Sequence, residues 1–279
     1  MEGLLQFRNI PVRDLSRNLQ YLREACSEEL GEKQRGQIDT YIEEGIKTLD
    51  KEVEPLSHSC ITADNPFESK AQTYLEWLLD GEKEKAASFI QNLLKEGVSI
   101  RDVYQHIFTS AQKEIGRLWY VNKISVGQEH FATAATRQIM GQFYSYIYNP
   151  DKIGRRLISS TVSSDLHEVG IQMITDYFEM EGWDTYYLGA NMPAGDLIEA
   201  IKDQKADLLA LSMTIPYHIS EGKELIKAIR TDDEIATLPV IVGGYPFGII
   251  SDLWQKIGAD GTARTAEDAI SLAKRLIGN

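Results

Sequence analysis

Asp165 and His167 are the residues of this sequence best suited to hold a metal. They stand two apart in the run Asp165-Leu166-His167-Glu168-Val169-Gly170. A histidine that ligates a metal commonly donates its other ring nitrogen to a carboxylate, which fixes the tautomer and raises the basicity of the ligating nitrogen. Ser212-Met213-Thr214 adds two hydroxyls that donate and accept hydrogen bonds. Gly243-Gly244 supplies backbone without Cβ atoms, beside which a ligand can pass closely, and Gly170 stands where a helix should begin. Taken singly, each is an ordinary feature: polar groups of a loop, or a turn after a strand.

A second set lies upstream. Trp119 is followed directly by Tyr120 and, after nine residues that include Val126, by Glu129-His130. Alone, a tryptophan in a helical region reads as core and an adjacent Glu-His pair as a solvated helix face. His58, His106 and His218 belong to no motif and read as structural. Cys26 and Cys60 are the only cysteines, too few for a disulfide framework or a cysteine-rich zinc site, and two free thiols suit a reduced compartment.

The elements that must position these residues change in kind near Pro150. Before it the apolar residues have helical spacing, and after it short β-rich runs alternate with helix-length segments. The first 64 residues form a helical segment, with one stripe at Leu15, Leu19 and Leu22 and another at Ile38, Ile42, Ile46, Leu49, Val53 and Leu56, ending near Pro55. Such stripes serve oligomerisation, partner docking or packing on the rest of the chain. Residues 65–150 read as a four-helix bundle, with helices over 67–79, 82–96, 100–120 and 126–148. Residues 151–279 read as a doubly wound parallel sheet of five strands, near 157–162, 184–188, 208–211, 240–242 and 261–263. Helices are expected at 169–181, 194–203, 220–230, 247–257 and 266–277. The Asp165, Ser212 and Gly243 runs then follow the first, third and fourth strands, on the carboxyl edge where ligands of such sheets bind.

Composition narrows the partners. The net charge of −13, from 29 basic and 42 acidic residues, opposes binding to a phosphate backbone. Residues 1–64 hold eight Lys or Arg against thirteen Asp or Glu, so no basic recognition helix stands there. No apolar run is long enough to span a bilayer. A cytoplasmic protein without direct nucleic-acid or membrane contacts is expected.

Together, the three carboxyl-edge runs resemble the cobalamin-binding module, Asp-x-His-x-x-Gly, then Ser-x-Leu or Ser-x-Thr, then Gly-Gly. Here 41 residues separate Gly170 from Ser212 and 28 separate Thr214 from Gly243, both in keeping with that family. The resemblance implies a flavodoxin-like domain in which His167 is the lower axial ligand to cobalt and replaces the cofactor's own base. By the same likeness Asp165 holds His167, Leu166, Gly170 and Thr214 line the cofactor, Ser212 hydrogen-bonds the displaced base, and Gly243 and Gly244 make room for the nucleotide tail.

The upstream set is similar to the Trp-x9-Glu-His signature of adenosylcobalamin-dependent photoreceptors, the light-responsive transcription regulators. That likeness implies a bundle that caps the upper face, with Trp119, Tyr120, Val126, Glu129 and His130 around an adenosyl group. Two departures stand out: the sequence shows no DNA-binding helix-turn-helix, and Tyr120 takes the place of the family's second histidine. The expectation is a non-enzymatic light or cobalamin sensor that signals, through conformational or oligomeric change, to a transcription factor or other signalling protein. The alternative is the corrinoid carrier of a methyltransferase system, which shares the plan of bundle followed by sheet.

Overall fold

The computed structural model describes residues 11–49 and 58–278. The chain divides into two compact units: residues 1–98 with 105–136, and residues 99–104 with 137–279.

In the first unit, α1 (Val12–Glu29) and α2 (Glu32–Leu49) form a helical hairpin. Arg23 on α1 reaches Asp39 (2.6 Å) and Glu43 (3.3 Å) on α2. Leu19 packs where Gly45 has no side chain, and Ile42 is buried, so the two stripes meet each other. The expected continuation at Val53 and Leu56, and the end near Pro55, lie outside the described residues.

Next come α3 (Glu68–Leu79) and α4 (Lys83–Lys95), close to their expected bounds. The expected helix over 100–120 is helical throughout but not uniformly α. It consists of α5 (Ile100–Asp102), a π-helical stretch Val103–Phe108, and α6 (Thr109–Tyr120). Such i→i+5 turns are rare and occur mostly as short insertions within α-helices. The next helix, α7 (Val126–Gly141), opens with a reciprocal cap: Ser125 N–H donates to Gln128 Oε1 (3.0 Å) and Gln128 N–H to Ser125 Oγ (3.2 Å). It stops at Gly141 rather than at Tyr148, and only a short α8 (Tyr144–Ile147) follows, in keeping with the low helix propensity of glycine.

The core of the first unit contains Tyr74, Leu78, Ile90, Ile107 and Phe108. A polar track runs through it. Tyr74 Oη lies 2.9 Å from Thr136 Oγ1, Gln112 Nε2 donates to that same oxygen (2.8 Å), and Thr133 Oγ1 donates to Gln112 Oε1 (3.1 Å) and Glu129 Oε1 (3.0 Å).

The second unit is built on β1 (Arg156–Thr161), β2 (Asp184–Tyr187), β3 (Leu208–Ser212), β4 (Val240–Gly243) and β5 (Gly261–Thr262). All pairs are parallel, in the order β2-β1-β3-β4-β5, so the expected doubly wound five-stranded sheet is present. On one face α9 (Val169–Met180) packs against α14 (Ala266–Ile277). On the other, α10 (Ala194–Gln204) and α11 (Ile219–Arg230) bury Leu197, Ile201, Leu225, Ile226 and Ile229 against Leu209, Leu211, Val240 and Val242. The helix expected over 247–257 is instead two short ones, α12 (Tyr245–Ile249) and α13 (Leu253–Lys256). Gly248 and the β-branched pair Ile249-Ile250 are weak helix formers at the break. Strand order reverses between β1 and β3, which places the binding crevice beyond their carboxyl ends.

Candidate functional site

Parallel register brings Thr161, Ser212 and Gly243 side by side at the ends of β1, β3 and β4. The loop leaving β1 is tied down on several sides. Thr161 Oγ1 donates to Asp165 O (2.5 Å), Asn191 N–H donates to Thr161 Oγ1 (2.8 Å) and Asp165 O (3.1 Å), and Ser164 N–H donates to Asn191 Oδ1 (2.7 Å). Ser164 and Asn191 both sit in the left-handed region, at φ +67° and +56°. Conformations this sparse in non-glycine residues persist where surroundings impose them.

Asp165 is fully buried at the end of this loop. Its Oδ1 accepts from His167 Nδ1 (2.8 Å) and His167 N–H (3.0 Å), and its Oδ2 accepts from Thr214 N–H (2.7 Å). Burial pushes the carboxyl upward, but these hydrogen bonds outweigh it and hold Asp165 at about 2. The group is therefore a carboxylate at neutral pH, and His167 Nδ1 must be the donor. That fixes the tautomer with its lone pair on Nε2, on a side chain that is 60% exposed. The neighbouring Glu168 is paired with Arg137 and accepts from Tyr187 Oη (2.7 Å), which secures the loop on its other flank.

Each expected residue of this edge has a definite place. Leu166 is exposed, together with Ile215, Tyr217, Tyr245, Ile249 and Ile250 from the segments after β3 and β4. So many large apolar side chains exposed on one loop-bearing edge mark a candidate binding surface. Ser212 is buried at the end of β3, and Thr214 acts on Asp165 through its backbone N–H, a role open to any residue but proline. Gly170 lies in the first turn of α9 with open space where a Cβ would project. Gly244, at φ +116°, is required for packing: a Cβ there would lie 2.0 Å from Met213 O, whereas one on Gly243 would make only an ordinary contact. A pocket of about 250 Å³ borders the same loop, lined by Val162, Ser163, Met192, Ala194, Glu221, Glu224 and Leu225.

Trp119, Tyr120, Val126, Glu129 and His130 all lie in the first unit. The first two end α6, and the others fall in the opening of α7. Glu129 contacts His130 Nδ1 and accepts from Thr133, while His130 itself is exposed. Trp119 is half-buried. Sequence reasoning passed over Thr161, Asn191 and, above all, His218, which is buried beside Asp165.

Among the described residues, no group of three or more His, Cys, Asp or Glu side chains forms a metal site made of protein alone. A metal bound by His167 must bring its remaining ligands with it, as a corrin does through its four equatorial nitrogens. The Asp165-oriented imidazole, the apolar edge and the open first turn of α9 fit such a group. Among the described residues, no helix is long and apolar enough to cross a membrane.

Two family models, each described as a B12 binding domain, match residues 71–144 and 155–273. A corrinoid protein of Desulfitobacterium hafniense is 23% identical over 206 residues, covering 72% of this chain and 94% of that one. Dimethylamine corrinoid protein 3 of Methanosarcina acetivorans is 27% identical over 122 residues, 43% of this chain and 56% of the other, so the match spans little more than half of that relative. The fold is shared with the monomethylamine corrinoid protein of Methanosarcina barkeri, at a TM-score of 0.63 and 18% identity, over 73% of this chain and 96% of that one. These relatives are named corrinoid and methylamine corrinoid proteins. They overturn the expectation of a photoreceptor acting on a transcription factor. The Trp-x9-Glu-His spacing that suggested it is short and falls where helices carry tryptophan and charge for many reasons, whereas the sheet-edge motifs are bound to a fold. The two B12 binding domain matches, with the chemistry of that edge, place this chain among the cobalamin-binding proteins.

Proposed function

We propose that the chain is a corrinoid carrier: it holds a cobalamin through His167 and presents the cobalt to separate methyltransferase partners, performing no catalysis of its own. The observation that carries this reading is the buried Asp165 carboxylate fixing His167 at the reversal point of the sheet. Its support comes from the names of the relatives, which are corrinoid proteins, several of them tied to methylamines.

When bound, the cobalamin supplies a cobalt that accepts and gives up a methyl group. The protein's part is to set that cobalt's lower ligand and keep it in place. Asp165 orients His167 and raises the basicity of Nε2, while the tied loop from Thr161 to Glu168 limits its movement. Leu166, Tyr217 and Tyr245, exposed on this edge, would offer the corrin an apolar bed, and Ser212, Gly243 and Gly170 would stand along its nucleotide tail.

Two measurements test this. The chain reconstituted with hydroxocobalamin should show a His-ligated cobalamin spectrum, and His167→Ala should convert it to one lacking a protein ligand, with lowered affinity. An unaltered spectrum in His167→Ala removes the ligand assignment. For the carrier role, the reduced holoprotein should gain a methyl–cobalt spectrum on incubation with a methylamine and its methyltransferase. A holoprotein that stays reduced with mono-, di- and trimethylamine and with methanol, each with its own methyltransferase, would count against it.

A further inference from the structure

Asp165 has two imidazole neighbours. His167 approaches Oδ1, and Nδ1 of His218 lies 3.2 Å from Oδ2. His218 ends the 3-10 turn Pro216–His218 ahead of α11 and is 4% exposed, with Tyr217 packed edge-on against it at 5.7 Å. The carboxylate oxygen that it faces already accepts from Thr214 N–H. His218 Nδ1 has no hydrogen-bond partner among the described residues, so its 3.2 Å approach to Oδ2 is an electrostatic contact. A buried imidazole nitrogen this close to a carboxylate avoids opposing lone pairs by carrying its proton there. Asp165 thus has an N–H dipole on either side, one from each ring.

We infer that His218 is a positioning residue for the cobalt ligand: it braces the Asp165 carboxylate from the side away from His167 and moderates how strongly Asp165 polarises that ring. This rests on the reading of His167 as the lower ligand. The physical argument is one of competition. The electron density that Asp165 directs into the Nδ1–H bond of His167 sets the donor strength of Nε2, and a second N–H facing the same carboxylate withdraws part of it. Removing His218 should leave Asp165 a stronger acceptor and His167 a stronger donor. With a cobalamin bound, a stronger donor from His167 would make the cobalt harder to reduce.

The test uses the full chain loaded with hydroxocobalamin, comparing wild type with His218→Phe, which fills the buried volume without an N–H, and His218→Asn, which restores an N–H at the position of Nδ1. Each protein is reduced to Co(II), its nitrogen superhyperfine splitting is recorded by EPR, and its Co(II)/Co(I) midpoint potential is measured by spectroelectrochemistry. The expected result is a potential shifted negative in His218→Phe and returned toward wild type in His218→Asn, with nitrogen splitting in all three. Loss of the splitting in the Phe variant alone would overturn the moderating role, since it would mean that His218 strengthens the His167 ligand. A wild-type potential in His218→Phe with the splitting retained would overturn the inference, as would equal loss of the splitting in both variants, which marks a packing role only. Wild-type protein without nitrogen splitting would instead remove the His167 reading, and this inference with it.

Discussion

Asp165 and Asp176 are carboxylates of one unit that their surroundings drive in opposite directions. Three hydrogen bonds from His167 and Thr214 overcome burial at Asp165. At Asp176, on α9, burial dominates and the charge of Glu179 adds to it. The single O–H donated by Tyr104 (2.8 Å) does not offset them, and the group is pushed up to about 6. A carboxyl raised in the folded state is stabilising in its neutral form, so the native state is favoured below its unfolded value near 4 and loses that advantage as pH rises through 6. Asp176→Asn should therefore gain about 3 kcal/mol over wild type at pH 7.5 and almost nothing at pH 4, measured by urea denaturation at both pH values. A gain that does not vary with pH would mean that the folded-state carboxyl is not raised. The Asp165–His167 pair was legible in the sequence because both partners lie within one short loop. His218 was not, since its partner comes from a different strand end, and the contribution of Thr214 comes from a backbone N–H that no side-chain identity announces.

Strand ends and helix starts were readable wherever a hydrophobic run met glycine or a polar loop, which is why the five strands and the site-bearing loops fell within a residue or two of expectation. What escaped was set by packing. Within the π-helical stretch Val103–Phe108, Tyr104 hydrogen-bonds Asp176 far along the chain. The helix α6 is anchored in a similar way. Glu114 is buried, grips Arg117 through Nε (2.9 Å) and Nη2 (2.6 Å), and accepts the backbone N–H of Cys60 (2.7 Å), fastening the segment that leads into α3. Burial pushes the Glu114 carboxyl up, but these donors hold it below its ordinary value, so it is charged in the folded protein. Glu114→Ala should cost about 3 kcal/mol, because it strands a largely buried guanidinium and an N–H, and Glu114→Gln should cost less. Equal denaturation midpoints for Glu114→Ala and wild type would show that water replaces both bonds at no expense.

On the scale of the whole molecule, residues 99–104 belong with the sheet although the chain on either side of them belongs with the helices. Arg101 pairs with Glu181 (2.8 Å) and stacks over Tyr177 at 5.2 Å, whose hydroxyl donates to Arg101 O (3.0 Å). In native-state hydrogen exchange at low denaturant, the amides of 99–104 should open together with β1 and α9 and not with α4. Opening in step with α4 would contradict this grouping. No hydrophobic pattern marks such an excursion, since it is defined by partners rather than by period. It also bears on how this architecture can be recombined. A chimera joined once, near residue 150, would give the sheet a foreign Arg101 and Tyr104 and leave Asp176 and Glu181 against side chains not selected to meet them. Exchange of the helical part between relatives would keep those pairs intact only with joints after residues 98, 104 and 136.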